Sequence, residues 1–210
     1  MMRAVLATLM KRALRASFRE VRMSGSVPDG PVVLFANHHN YYDGYLAWLV
    51  ARTVGRSPLV WMEEWDRFPF FRAMGALPFP ADDPIRRAAT VRHTARALGE
   101  PDAALVYFPE GRLHAPDEGL DAFEPGPLER LHHVLGRPSW VPMAIRVRWG
   151  RTATPVAEVR LGDSGGPENA RQRLLDTMES SSEASTVILT GRRGPDERWS
   201  FGFLRTLFNR

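Results

Sequence analysis

The sequence predicts a single α/β domain: a central sheet, mostly parallel or mixed, flanked by helices, with an amphipathic helix at its N-terminus. Three observations carry this. Short apolar runs bounded by turn residues recur at 31–36, 57–62, 103–108, 140–146, 155–161 and 186–190, as buried strands do. Segments with apolar residues at helical spacing lie between most of them, so strand and helix alternate. The 210 residues suit one domain whose core needs no staples.

At the N-terminus, Met2, Val5, Leu6, Leu9, Met10 and Ala13 share one side of a helical wheel, and Lys11, Arg12, Arg15 and Arg19 share the opposite arc. Residues 1–22 hold six basic groups against the single acid Glu20, net +5, which leaves −1 for the rest of the chain. The sequence therefore divides into a basic amphipathic helix at 1–22, a main domain at 23–195 and an aromatic-rich segment at 196–210 that includes Trp199 to Phe208. Two readings of the first helix stay open. It lies on an anionic membrane surface, or it packs on its own domain.

The run Pro31 to Ala36 ends in Asn37-His38-His39-Asn40-Tyr41-Tyr42-Asp43, a polar cluster at a strand end. Asp43-Gly44 then opens a helix whose face carries Tyr45, Leu46, Leu49 and Val50, with Asp43 predicted as its N-cap. An imidazole leaving the strand meets a carboxylate entering the helix, and the carboxylate fixes the ring tautomer while the other nitrogen takes a proton. His38 and Asp43 are thus candidates for a general base and its orienting partner.

Ser57 to Met62 follows as a strand, and Glu63 to Met74 as a helix broken near Pro69. Trp61, Trp65, Phe68, Phe70 and Phe71 crowd this part, either as core or as the wall of an apolar groove. Gly75 to Pro80 is extended, and Pro84 begins a helix bearing Arg86 and Arg87. The strand at 103–108 exits through Pro109-Glu110-Gly111-Arg112, where proline stiffens and glycine allows a tight turn. A helix at 127–135 carries His132-His133, read as partly exposed and without a role, and a strand with Pro142, a strand at 155–161, a helix at 167–178 and a strand at 186–190 complete the chain.

The Asn37-His38 to Asp43 pattern and Phe108-Pro109-Glu110-Gly111-Arg112, in that order and some 70 residues apart, resemble the first and third motifs of the glycerolipid (lysophospholipid) acyltransferase family. Gly75 to Pro80 is similar to the second motif only in distorted form, and Val141-Pro142 to the fourth. The resemblance implies an O-acyltransferase similar to 1-acylglycerol-3-phosphate acyltransferases. His38 and Asp43 would be catalytic, Glu110, Gly111, Arg112, Arg86 and Arg87 would bind the acceptor, and Pro142 would lie by the donor. The acyl group would pass from acyl-coenzyme A or acyl carrier protein to a hydroxyl of a lysophospholipid or related lipid, with no metal or other cofactor. Arg112 directly follows Gly111, where the family usually places one residue between, and the distorted second motif opens the way to a non-phosphate acceptor. The family further implies peripheral attachment at the cytoplasmic face of a membrane.

Three other classes fit the residues less well. Gly162-Asp163-Ser164-Gly165-Gly166-Pro167 resembles the nucleophile segment of chymotrypsin-like serine proteases, but the residues after it read as helix where that fold needs a strand. A metal hydrolase would need His38 and His39 on one ion, and adjacent residues of an extended segment point to opposite faces. A non-catalytic membrane-surface binding protein keeps the sheet but leaves His38, Asp43 and Glu110 unexplained. With no Cys there is no disulfide or thiolate chemistry, and no run reaches the ~18 apolar residues of a membrane span. The N-terminus leads into Lys11-Arg12 rather than into a cleavage site, so no signal peptide is expected. The basic helix lacks the stacking aromatics or recognition module of a nucleic-acid binder.

Overall fold

The chain was described from a computed structural model, over residues 2–180 and 184–192. The aromatic-rich segment at 196–210 lies outside the described residues. Eight strands form one mixed sheet in a single α/β domain: β1 (Glu20–Ser24), β2 (Val32–Ala36), β3 (Ser57–Met62), β4 (Ala76–Pro78), β5 (Ala103–Tyr107), β6 (Ser139–Arg148), β7 (Val156–Leu161) and β8 (Thr186–Thr190). The strand order is β4-β3-β5-β2-β6-β7-β1-β8. The five strands from β4 to β6 run parallel, β7 reverses against β6, β1 is parallel to β7, and β8 is antiparallel to β1.

Among the described residues, five α-helices accompany the sheet: α1 (Met2–Ser17), α2 (Asp43–Thr53), α3 (Pro84–Ala97), α4 (Pro125–Val134) and α5 (Ala170–Glu179). One core joins α1 and α2 to one sheet face through Met10, Leu14, Leu46, Leu49, Val50 and the inward residues Val32, Leu34, Val106 and Val141. A second core on the other face joins α4 and α5 through Leu128 and Leu174 to Val33, Phe35, Leu105 and Trp140. Alternate residues of β2 thus enter opposite cores, and all five are buried, as expected of a central parallel strand.

Three local differences from the sequence reading have plain causes. Residues 20–24 form β1 instead of prolonging the first helix, because Val21 is buried in the sheet between β7 and β8. The segment after β3 makes two 3-10 turns, Glu63–Asp66 and Pro69–Met74, in place of a broken α-helix. Tyr42, not Asp43, is the cap of α2, and no side chain caps it; the Asp43 carboxylate turns back onto the preceding turn. Asp83 does cap α3, accepting from the Arg86 N–H at 2.8 Å with Pro84 in the first turn.

Topology then places the site. β2 and β5 are neighbours in parallel register, with Phe35 opposite Tyr107. The chain leaving β2 forms α2 on one face of the sheet, while the chain leaving β5 leads to α4 on the other. Two adjacent strands whose successors part in this way open a crevice beyond their carboxyl ends, where open α/β sheets bind ligands.

Candidate active site

His38 and Glu110 enter that crevice two and three residues beyond the ends of β2 and β5. Asn37 locks the end of β2 to β6: its Oδ1 accepts from the Ile145 N–H at 2.8 Å and its Nδ2 donates to the Ile145 carbonyl at 2.9 Å. This fully buried side chain continues the ladder past Ala36 and Met143, so the next residue leaves the sheet in a fixed direction.

His38 Nδ1 lies 3.2 Å from Asp43 Oδ2. The same oxygen accepts the His39 and Asn40 backbone N–H groups, each at 2.8 Å, and the carboxylate is fully buried. Asp43 is therefore immobilised by the turn that it faces, and an ionised carboxylate there requires the His38 proton on Nδ1. Nε2 is left as the basic nitrogen. The His38 ring stacks on Phe108 with centroids 4.4 Å apart, and its side chain is 26% exposed. A base needs that combination of fixed orientation and access.

Glu110 sits behind His38. Its Oε1 accepts the His38 N–H at 2.8 Å, and its Oε2 accepts from His114 Nε2 at 2.6 Å and from the Asp121 N–H at 3.0 Å. His114 N–H in turn donates to the His38 carbonyl at 3.2 Å. The loop after β5 thus grips the His38 backbone from both sides. Burial disfavours a charged Glu110, but the His39 ring, the two backbone N–H groups and His114 outweigh it and hold the carboxyl at about 2. Glu110 in turn raises the His39 pKa above its ordinary value, against burial. Gly111 adopts φ +66° in the turn closed by its N–H to the Phe108 carbonyl, a conformation in which other residues are strained.

His38 and His39 point to different sides, as their adjacency predicts. His39 packs edge-on against His114, with centroids 4.6 Å apart. His39, Glu110 and His114 bring ligand-type atoms within 4.8 Å of one another, the cluster among the described residues most suited to a cation. Since Glu110 Oε2 already accepts two hydrogen bonds, its role as built is to hold the loop.

In front of His38 opens a cavity of about 620 Å³, within the range of small-molecule sites. Its walls come from α1 (Leu6, Leu9, Met10, Ala13), α2 (Tyr45, Trp48), β3, Phe68 between the two 3-10 turns and Phe70 and Phe71 in the second, with Phe108 beside His38. The aromatic crowd is thus divided: Trp61, Phe68, Phe70 and Phe71 line the cavity, while Trp65 does not and donates to the Ala76 carbonyl at 3.2 Å. α1 packs on α2 and on the Pro69–Met74 turn, so the basic helix is part of the domain and supplies one wall.

The remaining candidates lie elsewhere. Arg86 makes a bidentate pair with Asp66, including Nη2 to Oδ1 at 2.7 Å. Arg87 covers the face of Phe79 at 5.9 Å. Arg112 is bidentate to Asp121 at 2.8 and 3.2 Å and also reaches Glu118 at 3.2 Å. Pro142 is buried in β6 opposite Phe35 and does not line the cavity. His132 does have a function in packing: its Nδ1 accepts from the buried Trp140 indole at 3.1 Å. Ser164 is on an exposed turn between β7 and α5, where the following Gly165 pairs with Trp140. Trp140 is in register with Val33, four residues before Asn37, so this turn lies about 13 Å down the sheet from the His38 end at ~3.3 Å per residue.

Asn37, Phe108, His114 and Asp121 escaped assignment from the sequence. His114 is four residues after Glu110, and that spacing was the one signal available for it. The contacts of Phe108 and Asp121 depend on the neighbouring strand and on the loop path.

A strand-end histidine oriented by a buried carboxylate thus opens on an apolar cavity. The Acyltransferase family model matches residues 18–146, which hold His38, Asp43, Glu110 and Pro142. The chain belongs to this family, that of glycerolipid acyltransferases such as the 1-acylglycerol-3-phosphate acyltransferases. Comparison with curated proteins found no match.

Proposed function

We propose that this acyltransferase moves a long-chain acyl group from a coenzyme A or acyl-carrier-protein thioester to a lipid hydroxyl, with His38 as general base. The observation that carries the proposal is the position of His38: held by Asp43, it lines an apolar cavity large enough for a chain. His38 Nε2 takes the hydroxyl proton as the oxygen attacks the thioester carbonyl carbon. The tetrahedral intermediate collapses, the C–S bond breaks, and the thiolate leaves with the proton that His38 gives back. The thioester is already activated, so His38, Asp43 and the cavity suffice for this route without a metal.

The same reading makes the protein peripheral at the cytoplasmic face. No described helix is long and apolar enough to cross a membrane. Leu9, Tyr41, Phe70 and Leu113 are exposed although they line the cavity, and Met2 and Val5 extend that apolar rim along α1. Seated on an anionic bilayer, this rim would open the cavity to lipid, with Arg12 and Arg15 exposed on the same helix.

The test is product analysis by mass spectrometry after incubation with labelled palmitoyl-coenzyme A or palmitoyl carrier protein and a panel of lipid alcohols. An ester between the labelled chain and one acceptor is the expected result. Recovery of only free labelled fatty acid from both donors would contradict the proposal.

A further inference from the structure

We infer that the acceptor lacks a phosphomonoester: the hydroxyl that His38 activates belongs to a lipid alcohol with no net negative charge at that end, of the monoacylglycerol type. The inference rests on the acyl-transfer reading and narrows its substrate. It starts from the charges around the cavity. Apart from His38, the charged residues lining it are Glu63 and Glu64, and no arginine or lysine among the described residues does so. Glu64 faces Arg67 across 3.4 Å, whereas Glu63 has no ion pair among the described residues.

A phosphate dianion would need cations, and the three arginines that the family resemblance assigns to the acceptor are engaged. Arg112, next to the Glu110-Gly111 turn, is paired with both Asp121 and Glu118. Arg86 is clamped by both oxygens of Asp66. Arg87 lies over Phe79, whose other stacking partner, Trp61, is the ring that lines the cavity, with Phe79 and Trp61 only 4.3 Å apart. Two stacked rings therefore separate Arg87 from the cavity. Turning Arg112 or Arg86 to a phosphate would first break an exposed pair with a carboxylate, so neither offers a free cation. Bringing the dianion near Glu63 and Glu64, both exposed, adds a like-charge repulsion that is largest at low ionic strength. A neutral hydroxyl-bearing end meets neither cost.

Two lipids that differ only in the phosphate, 1-oleoylglycerol and 1-oleoylglycerol 3-phosphate, test this in the same neutral detergent micelles. Trp48 and Trp61 line the cavity, so tryptophan fluorescence reads occupancy without a donor. Acceptor-dependent thiol release from palmitoyl-coenzyme A and palmitoyl carrier protein reads use. The neutral lipid is expected to bind and react at least ~10-fold better, and E63Q with E64Q should narrow that gap. Equal or better binding and use of the phosphate lipid, abolished by His38→Ala, overturns the acceptor assignment and leaves acyl transfer standing. Binding of the neutral lipid without acceptor-dependent thiol release from either donor overturns the acyl-transfer reading and the acceptor assignment with it.

Discussion

Two turns of this molecule carry residues that spell a nucleophilic or basic site, and each leads from a strand to a helix. Between β2 and α2, His38 and Asp43 meet at 3.2 Å inside a crevice of parallel strand ends. Between β7 and α5, Gly162-Asp163-Ser164-Gly165-Gly166 sits on an antiparallel strand at the opposite end of β6, with its exposed serine far from that histidine. The first turn is gripped by Asn37, Glu110 and His114. In the second, Arg173 reaches the carbonyls of Trp140, Asp163 and Gly166, which fixes the backbone of that turn. Letters at a turn acquire chemistry only from the strand ends beside them.

The comparison breaks first at His38. His38→Ala is expected to lower acyl-transfer turnover by ~10²–10⁴-fold while its circular dichroism stays that of the wild type. Equal turnover in the two proteins would remove the distinction between the turns.

Glu110→Gln sharpens the claim that the first turn is held from behind. It replaces an acceptor of three hydrogen bonds with a group that is half donor, and should cost about 1–3 kcal/mol in chemical denaturation. The pH dependence has a definite sign. The folded-state pKa of Glu110 lies at about 2, below its ordinary 4.5, so its contribution is fully present above 4.5 and is lost as pH falls toward 2. Denaturation midpoints of Glu110→Gln should be flatter than those of the wild type across that window.

Gly44 lines the cavity, and a Cβ there would meet open space. Gly44→Leu should therefore fold, yet reduce use of palmitoyl against octanoyl donor by about tenfold, as crowding of an apolar pocket does. An unchanged chain-length profile would mean that the chain lies elsewhere. A smaller effect is expected from Arg12→Glu with Arg15→Glu, which should weaken sedimentation with anionic liposomes, most visibly at low salt. Last comes Ser164→Ala, expected to change neither rate nor stability beyond ~0.5 kcal/mol.

Much of this was legible in the chain. Apolar runs located six of the eight described strands and β4 was read as an extended stretch; the runs are plainest in β2 and β5, because central parallel strands must be apolar on both faces. β1 was hidden by its alternation: Val21 is buried between polar neighbours, and the preceding basic helix supplied a competing period. His38 and Asp43 were legible because their contact spans five residues, a local distance that sequence spacing encodes. The grip on His38 was not. Asn37 reaches Ile145 across 108 residues, and Glu110 reaches His38 across 72, so those contacts exist only once β2 lies between β5 and β6. The carboxylates that engage Arg86 and Arg112 are likewise fixed by loop paths that no periodicity reveals.

The central claim is that the β2–α2 turn, and not the β7–α5 turn, holds the catalytic base. Free thiol released from palmitoyl-coenzyme A in the presence of a lipid acceptor, measured side by side for the wild type, His38→Ala and Ser164→Ala, tests it most directly. Release that requires the acceptor, vanishes in His38→Ala and persists in Ser164→Ala is the predicted result. Acceptor-independent release that persists in His38→Ala and vanishes in Ser164→Ala would contradict the account.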